Sequence, residues 1–78
     1  MLKIKDNLDL KELGKFGFRY IRNSNYSILS SEEFYYDYFG TIAIYENTRT
    51  IIVRHTGNET INTLYDLVQA GLVEKAEV

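Results

Sequence analysis

Few residues in this chain could do chemistry. His55 is the only histidine and cysteine is absent, which excludes a site with two imidazole ligands, a thiolate metal site, a disulfide and cysteine catalysis together. A single imidazole could serve as base beside Ser27, Ser30 or Ser31, with Asp66 as the orienting acid. No nucleophile elbow surrounds these serines, however, and they lie in turn-like sequence where hydroxyls cap backbone groups. His55 is therefore expected at a strand end in a structural role. Glu32, Glu33, Asp37 and Glu46 could hold a hard cation or supply an acid and base pair, but their spacing fits no calcium loop and a glycosidase pair needs a cleft. They read as a solvated acidic loop. Gly14-Lys15-Phe16-Gly17 has the glycines and lysine of a phosphate loop, yet it closes a helix, so its orphan groups are carbonyls that repel phosphate. We expect no catalytic residue, no metal ligand and no cofactor, and hence no enzyme.

Tyrosine is what stands out. There are seven in 78 residues, and Phe34-Tyr35-Tyr36-Asp37-Tyr38-Phe39 places five aromatics in six positions. On a strand, Phe34, Tyr36 and Tyr38 share one face, and Tyr35, Asp37 and Phe39 share the other, which Asp37 marks as the wetter. Tyrosine combines contact area, a polar tip and low rotamer entropy, the properties of an interface residue. Tyr35, Tyr36, Asp37 and Tyr38, with Glu32 and Glu33 at the rim, are the candidate partner-binding residues. The same rings could instead cover a thin core, edges inward and hydroxyls outward. They could also stack nucleic-acid bases while Arg19, Arg22, Arg49 and Arg54 track phosphates. The acidic flanks at Glu32, Glu33, Asp37 and Glu46 oppose that use, because phosphate neutralisation dominates nucleic-acid affinity.

The elements that must position these residues are marked by their ends. Asp9 and Glu12 have capping-box spacing, Leu8 and Leu13 that of a hydrophobic staple, and Gly17 suits the left-handed position that ends a helix, with Phe18 folding back onto Leu13. This predicts a short helix over residues 9–16, weakened by Gly14 and held by Leu10, Leu13 and Phe16. Residues 18–22 and 25–29 read as strands around the turn Asn23-Ser24-Asn25. Ser30-Ser31-Glu32-Glu33 is the next break. Residues 34–46 read as strand almost throughout with Gly40 as a bulge or bend, and residues 50–56 as a further strand after a 46–49 hairpin loop. Ile61, Leu64, Tyr65, Val68 and Leu72 form a stripe of helical spacing, which Asn58 or Thr60 would cap and Gly71 would end, with Leu72 meeting Leu67. Residues 73–78 alternate apolar and charged, as an edge strand or a frayed tail does. Leu10, Leu13, Gly17 and Phe18 match Leu64, Leu67, Gly71 and Leu72 at one offset; shared capping grammar accounts for this without a duplication.

Helix, antiparallel strands and helix in this order predict a small single α+β domain over 1–78, a meander sheet of four or five strands with both helices on one face. The other face is left to solvent or a partner. A hydrophobic fraction of 45% and a charged fraction of 26% suit one small core. Without disulfides or metals, such a domain relies on tidy packing or on a partner. The net charge of −2 is uneven: residues 1–22 carry a local +3, residues 23–48 a local −4 and residues 49–78 a local −1. No signal-peptide stretch opens the chain and no segment reaches the roughly 20 apolar residues of a membrane helix, so a cytoplasmic, non-membrane protein is expected.

The run Thr63-Leu64-Tyr65-Asp66-Leu67-Val68-Gln69-Ala70-Gly71-Leu72-Val73-Glu74-Lys75, with Asp9-Leu10-Lys11-Glu12-Leu13-Gly14-Lys15-Phe16-Gly17-Phe18, resembles small proteins from phages and prophages of low-GC Gram-positive bacteria. The resemblance spans about a third of the chain and brings no assigned activity or functional residue. It implies a class of job: small acidic phage proteins without catalytic equipment occupy a surface on a host protein, defence nucleases among them. The leading expectation is a non-enzymatic protein that binds a host protein, in the manner of an anti-defence inhibitor, through its acidic tyrosine-rich sheet surface. A nucleic-acid-associated regulatory module is the second expectation. The third is a structural subunit that self-associates through its exposed sheet face or edge strands.

Overall fold

The computed structural model describes residues 1–22 and 34–76. In chain order these form β1 (Leu2–Ile4), a 3-10 helix (Leu10–Phe16), β2 (Arg19–Arg22), β3 (Phe34–Tyr38), β4 (Ile42–Tyr45), β5 (Ile51–Val53), α1 (Asn58–Gln69) and β6 (Val73–Lys75). The architecture is α+β. Strands β2-β3-β4-β5 form an antiparallel meander, and β1 pairs antiparallel with β6 in a second, two-stranded sheet.

Both helix ends close as their glycines predict. Gly17 adopts φ 91, its N–H reaches the Gly14 carbonyl, and the Phe18 N–H reaches the Leu13 carbonyl. Gly71 repeats the arrangement at φ 77, with its own N–H on Val68 and that of Leu72 on Leu67. These are the paired bonds of a Schellman turn, and they use donors a phosphate would need. The first helix is nevertheless of the 3-10 type. Asp9 accepts from the Lys11 N–H at 2.9 Å, and the Glu12 N–H bonds the Asp9 carbonyl three residues back. Glu12 does not complete a capping box; its carboxylate pairs with Lys15 at 2.7 Å. Seven residues with a glycine among them are too few to propagate α-helix, and the tighter winding still buries Leu10 and Leu13.

The strands depart from expectation in pairing and length. The described partner of β2 is β3, in the register Tyr20 opposite Tyr36 and Arg22 opposite Phe34; the strand expected over residues 25–29 lies outside the described residues. Residues 34–46 do not form one bent strand. The chain reverses at Phe39 and Gly40, whose φ of 48 and 73 are both left-handed, and the Thr41 N–H closes the turn on the Tyr38 carbonyl at 2.9 Å. The 46–49 hairpin loop forms as read, closed by the Arg49 N–H on the Tyr45 carbonyl at 2.8 Å. Strand β5 is shorter than expected, and β6 is the edge-strand alternative for residues 73–78. Strand β1 is missing from the sequence-based expectation, although Leu2-Lys3-Ile4-Lys5 carries the same apolar and charged alternation as β6.

Residues opposite one another share a sheet face. Tyr36, Tyr38, Ile42, Ile44 and Ile51 lie on the inner face, and the buried cluster joins the three isoleucines to Ile4, Leu10, Leu13, Phe18 and Leu67. Both helices thus pack on one face of the meander. The two sheets are joined by a bridge between Lys3 and Thr50 and by the Ile4 N–H on the Arg49 carbonyl at 2.9 Å. Arg49 adds a clamp: its Nη1 donates to the Lys5 carbonyl at 2.8 Å and the Leu8 carbonyl at 2.6 Å.

Helix α1 is turned away from the expected phase. Its buried positions are Thr60, Thr63 and Leu67, whereas Ile61, Tyr65 and Val68 remain 57%, 61% and 49% exposed. The exit into β6 fixes this phase. The Leu72 carbonyl accepts from the Lys5 N–H at 2.9 Å, so the last turn must deliver Leu72 and Val73 to β1 and the helix cannot roll. No buried side-chain oxygen or nitrogen among the described residues lacks a partner, so the threonines leave no stranded hydroxyl. The N-cap is Gly57, with no side-chain bond from Asn58 or Thr60.

Candidate functional site

The pleat of β3 divides the tyrosine run between two faces. Tyr38 is core cover: its ring lies 5.4 Å from Phe18, and a Cβ on Gly17 would stand 3.1 Å from its Cε1. Tyr35, on the outer face, lies 5.8 Å from Tyr45 with the Arg54 guanidinium 5.3 Å from its ring centre. The neighbouring Tyr45 hydroxyl, and after it that of Tyr35, favour the charged guanidinium and raise the Arg54 pKa further above the neutral range. Asp37 accepts from the Gly40 N–H at 3.0 Å and so holds the turn. Of the candidate partner-binding residues, Tyr35 and Asp37 therefore face one way and Tyr36 and Tyr38 the other. Glu32 and Glu33 lie outside the described residues.

Tyr36 takes part in a concave site. A groove of about 470 Å³ is lined by Lys11 and Gly14 of the 3-10 helix, Phe18 and Tyr20 at β2, Tyr36 of β3 and Glu46 of the β4–β5 loop. The rings of Tyr20 and Tyr36 are 4.9 Å apart at 54°, and Tyr20 also stacks parallel to Phe34 at 6.0 Å, over which the Arg22 guanidinium sits at 5.5 Å. The Tyr20 hydroxyl donates to Glu46 Oε2 at 2.9 Å. Glu46 is placed by its own N–H, which bonds the Phe34 carbonyl at 3.1 Å.

Desolvation, followed by the Glu46 hydrogen bond and charge, raises the Tyr20 pKa; desolvation, with the charges of Glu46 and Asp9, raises that of Tyr36. Both shifts favour the neutral phenol. The groove therefore offers aromatic faces, neutral hydroxyls and a carboxylate whose second oxygen can accept further bonds. Aromatic faces and a carboxylate are the groups that attract a cation, and the Lys11 ammonium beside them is a donor to an acceptor. Lys11, Phe18 and Tyr20 were not singled out for a site in the sequence, and Glu46 was read there as part of an acidic flank. Tyr20 and Tyr36 become neighbours only through the register of β2 on β3.

The other candidates are dispersed. His55 is exposed beyond the end of β5, where its N–H bonds the Thr41 carbonyl at 3.4 Å. Ser27, Ser30 and Ser31 lie outside the described residues. Asp37 and Glu46 serve a turn and the groove respectively, and no group of three or more metal-ligating side chains occurs among the described residues. The four arginines divide among separate places: Arg49 is a structural clamp, Arg22 lies on Phe34 of the inner face, and Arg19, opposite Asp37, shares the outer face with Arg54, which lies on Tyr35. A second hollow, lined by Lys3, Glu74, Lys75 and Ala76, is occupied by its own charges, with Lys3 2.8 Å from Asp6 and 3.7 Å from Glu74. No helix among the described residues is long and apolar enough to cross a membrane. No protein-family model matches this chain, and no curated protein or solved structure matches it.

Proposed function

We propose that the protein is a non-enzymatic binding protein that receives a cationic side chain of a partner protein in the groove between the 3-10 helix and β2–β3. The observation that carries this reading is the hydrogen bond from Tyr20 to Glu46 beside the Tyr36 ring, which fixes a carboxylate next to two aromatic faces. A guanidinium suits the site best, since its plane stacks on a ring while its edge pairs with a carboxylate. The resemblance to small phage proteins makes the partner a host protein inside the bacterial cell. The protein would act by competing, sterically and electrostatically, for a basic site, as an anti-defence inhibitor does. The dispersed arginines lend no support to a nucleic-acid module.

The test uses defined probes. Capped arginine and capped citrulline are titrated into isotope-labelled protein, and amide shifts are followed. Arginine should move Gly14, Tyr20, Tyr36 and Glu46, citrulline should not, and Glu46→Gln should weaken arginine binding about tenfold, the effect of losing a charged hydrogen bond of about 1.5 kcal/mol. Equal response to both probes, or shifts elsewhere, would refute the reading.

A further inference from the structure

Helix α1 presents its most regular apolar stripe to solvent. Ile61, Tyr65 and Val68, at spacings of four and three, are each about half exposed or more, while the core side of the same helix takes two threonines. Scattered exposed apolar residues are ordinary, but three aligned on one helix face form a continuous apolar strip that a partner could cover. The charges on α1 indicate what covers it. Glu59 and Asp66 lie roughly 130–150° around the helix from the middle of the stripe, at about 100° per residue. Asn58, Asn62 and Gln69 border the stripe on that side and half-buried Leu64 on the other. A basic partner would find no carboxylate at this rim, and an acidic one no cation. A face that meets its own copy needs this neutrality, because any charge near the two-fold axis would oppose itself. The stripe also reads nearly alike in both directions, a β-branched residue on either side of Tyr65.

We infer that α1 is a self-association face, on which two copies of the chain pack their helices antiparallel across a two-fold axis at Tyr65. Ile61 of each copy then meets Val68 of the other, the tyrosines adjoin, and the helix dipoles oppose favourably. This association is independent of the groove, whose residues it does not use.

Sedimentation tests it. A stripe on a helix about 18 Å long is at the small end of specific interfaces, so the weight-average mass should rise from monomer toward dimer between about 10 μM and about 1 mM. Tyr65→Asp, which would set two carboxylates together at the axis, should weaken dimerisation at least tenfold, whereas Glu59→Lys should leave it unchanged. Because the chain lacks cysteine, Tyr65→Cys offers a second readout that does not depend on the tolerance of Asp: it should oxidise to a disulfide dimer faster than Glu59→Cys. A wild-type monomer at every concentration, or equal oxidation of the two cysteine variants, would overturn the proposal.

Discussion

Arg49 is the residue whose loss should tell most about how the fold supports the groove. It occupies a left-handed conformation, φ 61, at the end of the β4–β5 loop, and its guanidinium ties that loop to the chain between β1 and the 3-10 helix through the Lys5 and Leu8 carbonyls. A hydrogen bond from a charged donor contributes about 1.5–3 kcal/mol, and the lower end applies here because the bonds are only part-buried and water can replace them. Arg49→Ala should therefore cost about 3 kcal/mol, which in a domain of this size lowers Tm by about 12–24 °C. Arg49→Gly loses the same two bonds but relieves the left-handed backbone, and should be about 1 kcal/mol more stable than the alanine variant. Urea unfolding followed by tyrosine fluorescence measures both, with unchanged m-values showing that the denatured state is not involved. Since Glu46 stands three residues before Arg49, the alanine variant should also weaken capped-arginine binding. An alanine variant within about 0.5 kcal/mol of wild type, the range of an ordinary surface substitution, would refute the clamp.

The remaining predictions separate neighbouring positions that the fold treats differently. Leu67→Ala, at a fully buried position, should cost about 2–5 kcal/mol, while Val68→Ala should change stability by less than about 0.5 kcal/mol; similar losses would contradict the observed phase of α1. Gly14 has open space where a Cβ would lie, so Gly14→Ala should stabilise by about 0.5–1 kcal/mol, whereas Gly17→Ala combines φ 91 with a contact to Tyr38 and should cost more than about 1 kcal/mol. Phe39, at φ 48 and 77% exposed, occupies a turn position suited to asparagine, and Phe39→Asn should stabilise by about 0.5–1 kcal/mol in thermal unfolding. Raised phenol pKa values at Tyr20 and Tyr36 mean that their contribution to stability is complete below the unfolded tyrosine pKa of about 10 and is lost as pH climbs through the folded values. Phenolate absorbance should show a component that ionises above the ordinary value, and Tyr20→Phe should diminish it; a titration that Tyr20→Phe leaves unchanged in shape would refute this.

What could be read from the sequence was what local chemistry decides. Gly17 and Gly71 mark the helix ends because only a residue without a Cβ enters the left-handed region freely, and the donors that close those turns lie within five residues. The alternation of β3 likewise requires nothing beyond the pleat, so the division of Tyr35 and Asp37 from Tyr36 and Tyr38 is contained in the run itself. The phase of α1 is different. Ile61, Tyr65 and Val68 outrank Thr60 and Thr63 on any hydrophobicity scale, yet the core receives the threonines because β6 must reach β1, a demand imposed by Met1 through Lys5 from the far end of the chain. The groove is of the same kind, since Lys11, Tyr20, Tyr36 and Glu46 converge only after β2 pairs with β3 and the β4–β5 loop is anchored.

Both proposed surfaces thus lie where local preference yields to a long-range constraint, and in each the cost is visible. A domain of 78 residues has little stability to spare, so positions that worsen folding persist when something else retains them. The stripe on α1 forgoes the burial of three large side chains, and Tyr20 holds its hydroxyl on Glu46 at half exposure instead of covering the core. Phe39 belongs with them, an exposed ring on a left-handed turn. Given the phase that β6 imposes on α1, a chain shaped by folding alone would carry apolar side chains at positions 60 and 63, polar ones at 61, 65 and 68, and asparagine at the hairpin tip. The associations proposed above, with a partner's cationic side chain at the groove and with a second copy at α1, would account for the departures at these two surfaces.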